Sequence, residues 1–182
     1  MSNWQRLDTK IVYQNGFITV HEDNVINPHG KPVRYGWVET APTVMVVAVD
    51  DHGKVVMVKK LRYTTGRPAW ELPGGGTDGA DPQDAAKREL EEEAGLHAER
   101  WVSLSGEYLI WPGVATQRDS VHIARGLHKS KGSGSSAPAE PVEAVQAFSW
   151  DDIKEMIKTG ELNDGESIAA LTLAGLHLGR LK

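Results

Sequence analysis

The fold is decided by the stretch from Pro73 to Leu96, which reads PGGGTDGADPQDAAKRELEEEAGL. Three glycines after a proline predict a turn outside regular structure, because glycine maximises backbone freedom and proline lacks an N–H donor. Asp81 then predicts a helix N-cap, with Pro82 at the first helical position. We expect this helix to run to Ala94 and to end at Gly95, in the left-handed conformation that is common after a helix.

The predicted helix carries three carboxylates on one face. Glu89, Glu92 and Glu93 are spaced by three and four residues, which groups their side chains on a helical surface. Like charges at this spacing destabilise an isolated helix by about 0.2–0.5 kcal/mol per pair, and near the C-terminus they also oppose the helix dipole. A divalent cation such as Mg²⁺ would compensate, since it prefers carboxylate oxygens. A solvated glutamate-rich face is the alternative, but the adjoining glycine-rich turn favours the metal site.

Composition excludes several classes of protein. The 182 residues are 40% hydrophobic and 25% charged, which is typical of one globular domain. A net charge of −5 argues against a wholly electrostatic nucleic-acid binder. The chain has no cysteine, which excludes disulfides, thiolate zinc sites and a cysteine nucleophile. It has no apolar run of the roughly 18 residues that a membrane span needs, so we expect a soluble, cytoplasmic protein without a membrane or nucleic-acid partner.

Strands are predicted on both sides of the helix. Residues 1–40 predict an antiparallel meander with turns at Asn15-Gly16 and near residues 27–30. The almost wholly apolar run over residues 43–49 predicts a buried strand, which the turn at residues 50–53 connects to a partner. Further strands are expected near residues 101–109, 120–126 and 144–150, helices at 151–158 and 166–181, and a mobile loop at 129–139. These elements predict a mixed sheet between helices over residues 41–182, in one structural unit with the meander.

The stretch from Pro73 resembles the Nudix box, whose pattern is Gly, five residues, Glu, seven residues, and then Arg-Glu-Leu-x-Glu-Glu-x-Gly followed by an apolar residue. Every specified position of the second half is matched between Arg88 and Leu96. The resemblance implies an α/β fold of the α+β type, a Nudix-like α/β/α sandwich. It also implies an enzyme that hydrolyses a nucleoside diphosphate linked to another moiety, with Mg²⁺ or Mn²⁺ as cofactor.

Residue roles follow from the same resemblance. It implies Glu89, Glu92 and Glu93 as metal ligands, assisted by a backbone carbonyl of the glycine turn at Gly74. It implies Arg88 as the residue that orients these carboxylates by ion pairing. Arg88 and Glu92 are therefore expected in the catalytic set.

The first half of the box departs from the family pattern. Ala80 stands eight residues before Arg88, where the family has Glu. Asp81 follows directly and could supply a carboxylate, or it could serve only as the helix cap, which is the role we favour. The departure bears on the rate of the reaction more than on the fold.

A longer part of the chain, from Gly16 to Leu178, resembles the ADP-ribose pyrophosphatase branch of the family. Pro112 lies sixteen residues beyond Leu96, where that branch carries a proline, and four short motifs agree in order and spacing: residues 60–63, 70–73, 111–113 and 160–164. The resemblance implies cleavage of ADP-ribose or a related nucleotide sugar to AMP and a sugar phosphate. It implies that Arg62 contacts the substrate phosphate, that Glu71 lies beside the site and that Pro112 belongs to the substrate-binding region.

The branch draws its catalytic base from a mobile loop near the last strand. Glu140 matches that position best, and Glu143 is the second candidate. A carboxylate on such a loop can approach when substrate binds. Gln117 stands where the branch often has a further Glu, and its amide oxygen would hold a metal less tightly than a carboxylate.

Aromatic side chains offer a surface for the nucleobase. Trp37 is the candidate that we expect at the substrate, and the others are Trp4, Tyr35 and Trp111. In the branch that the chain resembles, the N-terminal strands often pack against a second subunit, which implies a homodimer. Two other functions stay open: hydrolysis of a nucleoside triphosphate or dinucleotide, and a weakly active regulatory module that binds ADP-ribose.

Overall fold

The computed structural model describes residues 3–104, 106–130 and 141–181. Its helices are α1 (Pro82–Ala94), α2 (Trp150–Thr159) and α3 (Gly165–His177). Its strands are β1 (Gln5–Gln14), β2 (Ile18–Ile26), β3 (Pro32–Thr40), β4 (Thr43–Val49), β5 (Val55–Arg62), β6 (Arg67–Glu71), β7 (Gly74–Gly76), β8 (Leu96–Ser103), β9 (Tyr108–Leu109), β10 (Arg118–Lys129) and β11 (Val142–Phe148). Glu140 and most of the loop predicted over residues 129–139 lie outside the described residues. Within those residues, no helix is both long and apolar enough to cross a membrane.

The contacts divide the chain into two compact units. The first comprises Met1–Pro42 and Leu109–Arg118, and the second Thr43–Tyr108 and Asp119–Lys182. The first unit contains a three-stranded antiparallel sheet in the order β1-β2-β3. At the turn between β1 and β2, the side chain of Asn15 accepts hydrogen bonds from the backbone N–H groups of Phe17 and Ile18. The predicted meander and its Asn-Gly turn are therefore confirmed.

The second unit contains a mixed sheet with the strand order β11-β5-β4-β10-β8. β10 runs parallel to β4, whereas the pairs β4–β5, β5–β11 and β8–β10 are antiparallel. Side chains of β4 alternate between two buried clusters, as the period of two requires. Val44, Val46 and Ala48 belong to the cluster that contains residues of α1, while Met45, Val47 and Val49 belong to the cluster that contains residues of α2 and α3. Helices thus cover both faces of the sheet, and the predicted α/β/α sandwich is confirmed.

Helix α1 begins and ends where its sequence predicts. The side chain of Asp81 accepts hydrogen bonds from the backbone N–H groups of Gln83 at 2.9 Å and Asp84 at 3.4 Å. Gly95 closes the helix with φ 65° and ψ 29°, a left-handed conformation that glycine adopts without steric cost. Such caps satisfy N–H and C=O groups that a helix end otherwise leaves unpaired.

Two predictions about local structure were wrong. Gly74–Gly76 is not a turn outside regular structure but the short strand β7, which pairs antiparallel with β4 from Met45 to Thr43. A Cβ atom at Gly74 would lie 2.5 Å from the backbone oxygen of Val44, so the missing side chain allows the strands to meet. Helix α3 ends at His177 and not at residue 181, and Leu181 turns back to donate its N–H to the oxygen of Gly175.

Candidate active site

Near its end, strand β5 carries two basic residues, Lys60 and Arg62, whose side chains form ion pairs with carboxylates. Every second residue of the strand lies on the same face, and on one face these residues are Val56, Val58, Lys60 and Arg62. Val56 packs in the buried cluster that contains residues of α1. Farther along the strand the apolar pattern gives way to Lys60, whose Nζ atom lies 2.6 Å from Oε1 of Glu93 on α1. Lys60 is only 2% exposed, so its amino group lies inside the protein beside this carboxylate.

Glu93 is fixed through both of its carboxylate oxygens. Oε1 receives Lys60, and Oε2 accepts a hydrogen bond from the backbone N–H of Gly74 at 3.1 Å. Burial raises the pKa of Glu93 above its ordinary value, although Lys60 and the Gly74 N–H both act to lower it. The carboxylate thus joins α1 to β5 and β7.

Glu71 and Arg62 form a second, two-pronged ion pair. Arg62 Nη2 lies 2.6 Å from Oε2 of Glu71, and Arg62 Nε donates to Oε1 at 3.0 Å. Glu71 is buried, whereas the arginine side chain is 37% exposed. Lys60 Nζ lies 3.9 Å from Oε2 of the same carboxylate. Arg62, Glu71, Lys60 and Glu93 therefore form one chain of alternating charge, which runs from the surface into the protein.

Glu89 is the most strongly perturbed carboxylate of α1. Burial and the neighbouring Glu93 raise its pKa to about 6, while Arg88 acts in the opposite direction. A Cβ atom at Gly75 would lie 2.6 Å from Glu89 Oε1, so the carboxylate occupies space that any other residue at that position would fill. A side chain at position 75 would therefore displace the Glu89 carboxylate from its place beside β7.

Arg88 binds the carboxylates of α1 to the segment that precedes the helix. It lies 2.8 Å from Glu89 and 3.1 Å from Glu92, and its Nη2 atom donates to the backbone oxygen of Gly76 at 2.7 Å. The expected role of Arg88 in orienting the acidic residues agrees with these contacts. Nη2 also lies 3.2 Å from Asp78, a carboxylate that the sequence reasoning missed because Asp78 lies before the family's Glu position.

These donors fit a divalent cation in their chemistry. Glu89, Glu92 and Glu93 are hard oxygen ligands, and burial together with the negative charge of Glu93 and Glu92 raises the pKa of Glu89, so a bound cation would stabilise its ionised form. Among the residues described, no three His, Asp or Glu side chains are arranged as a ready metal site. In this structure Lys60 pairs with Glu93, and Arg88 pairs with Glu89 and Glu92.

The structure brings seven of the predicted site residues together in the second unit: Arg62, Glu71, Gly74, Arg88, Glu89, Glu92 and Glu93. Lys60 joins them, although the sequence analysis assigned it no role. The signal for it was present, because a lysine occupies a core-facing position of β5 at the end of an apolar run. The predicted base Glu140 lies outside the described residues, and the other candidate, Glu143, is an exposed residue of β11.

Trp37 and Pro112 lie in the first unit. The indole of Trp37 stacks on His21 at 4.0 Å between ring centroids and donates to Asp23 at 3.0 Å. It lines a cavity of about 470 Å³ together with Trp4, Arg6, Asp23, Val25 and Tyr35. Pro112 is an exposed residue of a turn whose neighbour Gly113 accepts a hydrogen bond from the Tyr35 hydroxyl at 2.7 Å. The two predicted residues therefore flank Tyr35 within this unit.

Comparison with known proteins identifies the family of this chain. Residues 39–171 match the family model of the NUDIX domain, and residues 4–38 match that of the nucleoside diphosphate sugar hydrolase N-terminal domain. The chain is 31% identical to an ADP-ribose pyrophosphatase of Mycobacterium tuberculosis, over 96% of this chain and 82% of that protein. It is 29% identical to an ADP-ribose pyrophosphatase of Bacillus subtilis, over 88% and 86% respectively. A crystal structure of an ADP compounds hydrolase shares the fold, with a TM-score of 0.82, 19% identity and coverage of 98% and 97%.

Proposed function

Because this chain belongs to the Nudix family of hydrolases, we propose that it cleaves the diphosphate of ADP-ribose or a related nucleotide sugar, releasing AMP and a sugar phosphate. The observation that carries the proposal is the charge-paired cluster of Glu89, Glu92 and Glu93, which is mostly shielded from solvent and lies near Arg62. Relatives that match nearly the whole chain and are named ADP-ribose pyrophosphatases support the choice of substrate.

Nudix hydrolases generally require a divalent metal, and we propose Mg²⁺ for this chain, with Mn²⁺ as a substitute. Glu89, Glu92 and Glu93 would hold it, assisted by the backbone carbonyl of Gly74. Bound there, the cation would neutralise phosphate charge and lower the pKa of a bound water. Because the whole chain carries a net charge of −5, positive charge at this cluster is what an anionic diphosphate needs in order to bind.

The chain's own residues supply the other parts of the reaction. Arg62 is partly exposed at the outer end of the charge chain, and its guanidinium would donate to a phosphate oxygen while Glu71 keeps it oriented. Arg88 connects β7 to the acidic face of α1, because it donates hydrogen bonds to the backbone oxygen of Gly76 and to the carboxylate of Glu92. We propose Glu140 as the base that takes a proton from the attacking water, with Glu143 as the alternative.

We propose that the nucleobase binds in the first unit, against Trp37 near the turn of Pro112. The support is the cavity that Trp37 lines, since stacking on an aromatic ring stabilises a bound base by about 1–3 kcal/mol. A homodimer is also proposed, because β1 is exposed along its whole length and presents large apolar side chains, among them Leu7, Ile11 and Tyr13. The cytoplasm, which contains both nucleotide substrates and Mg²⁺, is the proposed compartment.

The proposal is tested by comparing rates of Mg²⁺-dependent hydrolysis over one panel: ADP-ribose, other nucleotide sugars, dinucleoside polyphosphates and nucleoside triphosphates. We expect AMP and ribose 5-phosphate to form fastest from ADP-ribose. A preference for triphosphates or dinucleotides would contradict the substrate assignment. Binding of ADP-ribose without turnover would instead identify the regulatory module.

A matched pair of variants tests the site itself. Glu93→Gln should lower kcat at least about 100-fold, because the substitution removes a proposed ligand charge. Glu91→Gln changes the same helix on another side, where Glu91 accepts from Ser130 and pairs with His97, and should retain nearly full activity. Equal activity of the two variants, with unchanged thermal unfolding, would contradict the metal assignment.

A further inference from the structure

Lys60 is a buried cation in the middle of the charge chain. Its exposed fraction is 2%, and its ion-pair partners among the described residues are Glu93 at 2.6 Å and Glu71 at 3.9 Å. Removing an ammonium group from water is costly unless close negative charge compensates. Both distances therefore describe contacts that the fold needs, and the shorter one belongs to a proposed metal ligand.

The contact with Lys60 places a constraint on Glu93. Oε1 of Glu93 is held by the ammonium group, and Oε2 by the backbone N–H of Gly74. Each oxygen keeps a further lone pair for a divalent cation, but a cation bound by Glu93 would share that carboxylate with the Lys60 ammonium. The Lys60 contact is the one that would be opposed directly, because two positive charges would then share one carboxylate.

Glu71 offers Lys60 another partner at the same place. Oε2 of Glu71 is within 3.9 Å of Nζ before any rearrangement, so the ammonium can leave Glu93 without becoming an unpaired buried charge. Glu71 in turn holds Arg62, the arginine proposed to contact phosphate. Lys60 thus stands between the residues proposed for the metal and the residue proposed for the substrate.

We infer that Lys60 is a positioning residue that competes with the divalent cation for Glu93 and thereby sets the metal affinity of the site. The inference rests on the proposed metal-dependent function, in which Glu93 is a ligand. In the absence of metal, the Lys60 ammonium group holds the Glu93 carboxylate in place. When a metal binds, the ammonium group moves away from Glu93 and pairs more closely with Glu71. A merely structural lysine would affect stability but would not limit metal binding.

The test measures Mn²⁺ binding by isothermal titration calorimetry, without nucleotide, at about pH 8.5, where carboxylates are ionised. Lys60→Met keeps a long side chain and removes the charge, and it should tighten the Mn²⁺ dissociation constant about tenfold, because a competing positive charge is lost. Lys60→Arg keeps the positive charge and should stay within about threefold of the wild type. Unchanged or weaker Mn²⁺ binding by a folded Lys60→Met protein would overturn the inference.

The neighbouring lysine provides the matched control. Lys59 lies on the opposite face of β5, with its ammonium 5.8 Å from the ring centre of Trp70. Lys59→Met removes the same charge from the same strand and should leave the Mn²⁺ dissociation constant unchanged. A similar tightening in both variants would mean a general charge effect and would overturn the specific role of Lys60. If circular dichroism shows that Lys60→Met is unfolded, Lys60→Gln is measured in its place against the same criterion.

The experiment separates this inference from the proposed function. No nucleotide is present, so a protein that fails to hydrolyse ADP-ribose but binds Mn²⁺ more tightly as Lys60→Met would contradict only the substrate assignment. An active enzyme whose Mn²⁺ affinity is indifferent to Lys60 would contradict only the inference. A wild-type protein that does not bind Mn²⁺ at all would contradict both the metal site and the competition.

Discussion

Arg88 donates from Nη2 to the backbone oxygen of Gly76 at 2.7 Å, although the two residues are twelve positions apart. The same guanidinium contacts Glu89 and Glu92, one and four residues farther along α1. Five N–H donors in a planar fork can satisfy a strand carbonyl and two carboxylates together, which an ammonium group cannot do in the same geometry. Arg88 therefore ties the spacing between β7 and α1 to the orientation of the acidic side chains.

Replacing Arg88 by Lys should lower kcat by about 100-fold, because misplacing site groups by about 1 Å has effects of that size. The charge is retained, so the loss would report the lost fork geometry. The rate of ADP-ribose hydrolysis at saturating Mg²⁺ is the measurement. Lys87→Ala, which changes the neighbouring residue of α1 and removes a pair with the exposed Asp84, should retain the rate within about twofold. A fully active Arg88→Lys enzyme would contradict this role.

Gly75→Ala should both destabilise and inactivate the protein. Its Cβ would lie 2.6 Å from Glu89 Oε1, so β7 or the carboxylate must move. Overpacking of this kind typically lowers the free energy of unfolding by about 1–3 kcal/mol. Denaturant unfolding and kcat are the two measurements. At Gly165 a Cβ would meet nothing within 4 Å, so Gly165→Ala is the control and should leave both nearly unchanged.

The glycine run at Gly74–Gly76 shows what could not be predicted from the sequence. Its composition predicted a turn, since local propensity disfavours a strand of three glycines. The strand forms because β4 supplies backbone partners from Met45 to Thr43 and because neither β4 nor Glu89 leaves room for a side chain. Both reasons are tertiary. A pattern of residue types cannot encode them, whereas the caps of α1 are local and were predicted correctly.

The stability of the metal-free protein should depend on pH through Glu89. Its pKa is about 6 in the folded protein, against an ordinary value of 4.5. The folded state therefore binds this proton more tightly than the unfolded chain. The resulting stabilisation is complete below about pH 4.5 and is lost as the pH rises through about 6, a change of about 2 kcal/mol.

Glu89→Gln isolates that contribution, because glutamine resembles the protonated carboxyl group at every pH. With EDTA present, the free energy of unfolding of the variant should gain about 2 kcal/mol relative to the wild type between about pH 4.5 and pH 7. Urea unfolding at intervals across this range measures the difference. If the difference in the free energy of unfolding between the two proteins stays constant across this pH range, the raised pKa of Glu89 is contradicted.

The identity of the catalytic base is tested on the segment around β11. Glu140→Gln should lower kcat by about 100-fold or more with little change in KM, since loss of a general base affects proton transfer and not substrate binding. Glu143→Gln, three residues along and exposed in β11, should retain the rate. The reverse result would assign the base to Glu143.

Within the site, the acidic residues could be predicted and their counter-ions could not. Glu89, Glu92 and Glu93 follow from helical spacing and from the Nudix resemblance. Lys60 lies 33 residues before Glu93 in the sequence, and only the packing of β5 against α1 brings its ammonium group to that carboxylate. Ion pairs between distant elements leave no periodic trace in a single sequence.

The parallel pairing of β4 with β10 joins two strands that are far apart in the sequence. Thr43 lies beside Asp119, and their side chains are hydrogen-bonded across 76 positions of sequence. Ribosomes add roughly 5–20 residues per second, so α1 is synthesised seconds before β10 is complete. Such long-range pairing slows folding, because a large loop must close before its contacts form. The charged groups of the site are therefore synthesised before β10, and the sheet to which β5 belongs is completed only after the second half of the chain has been made.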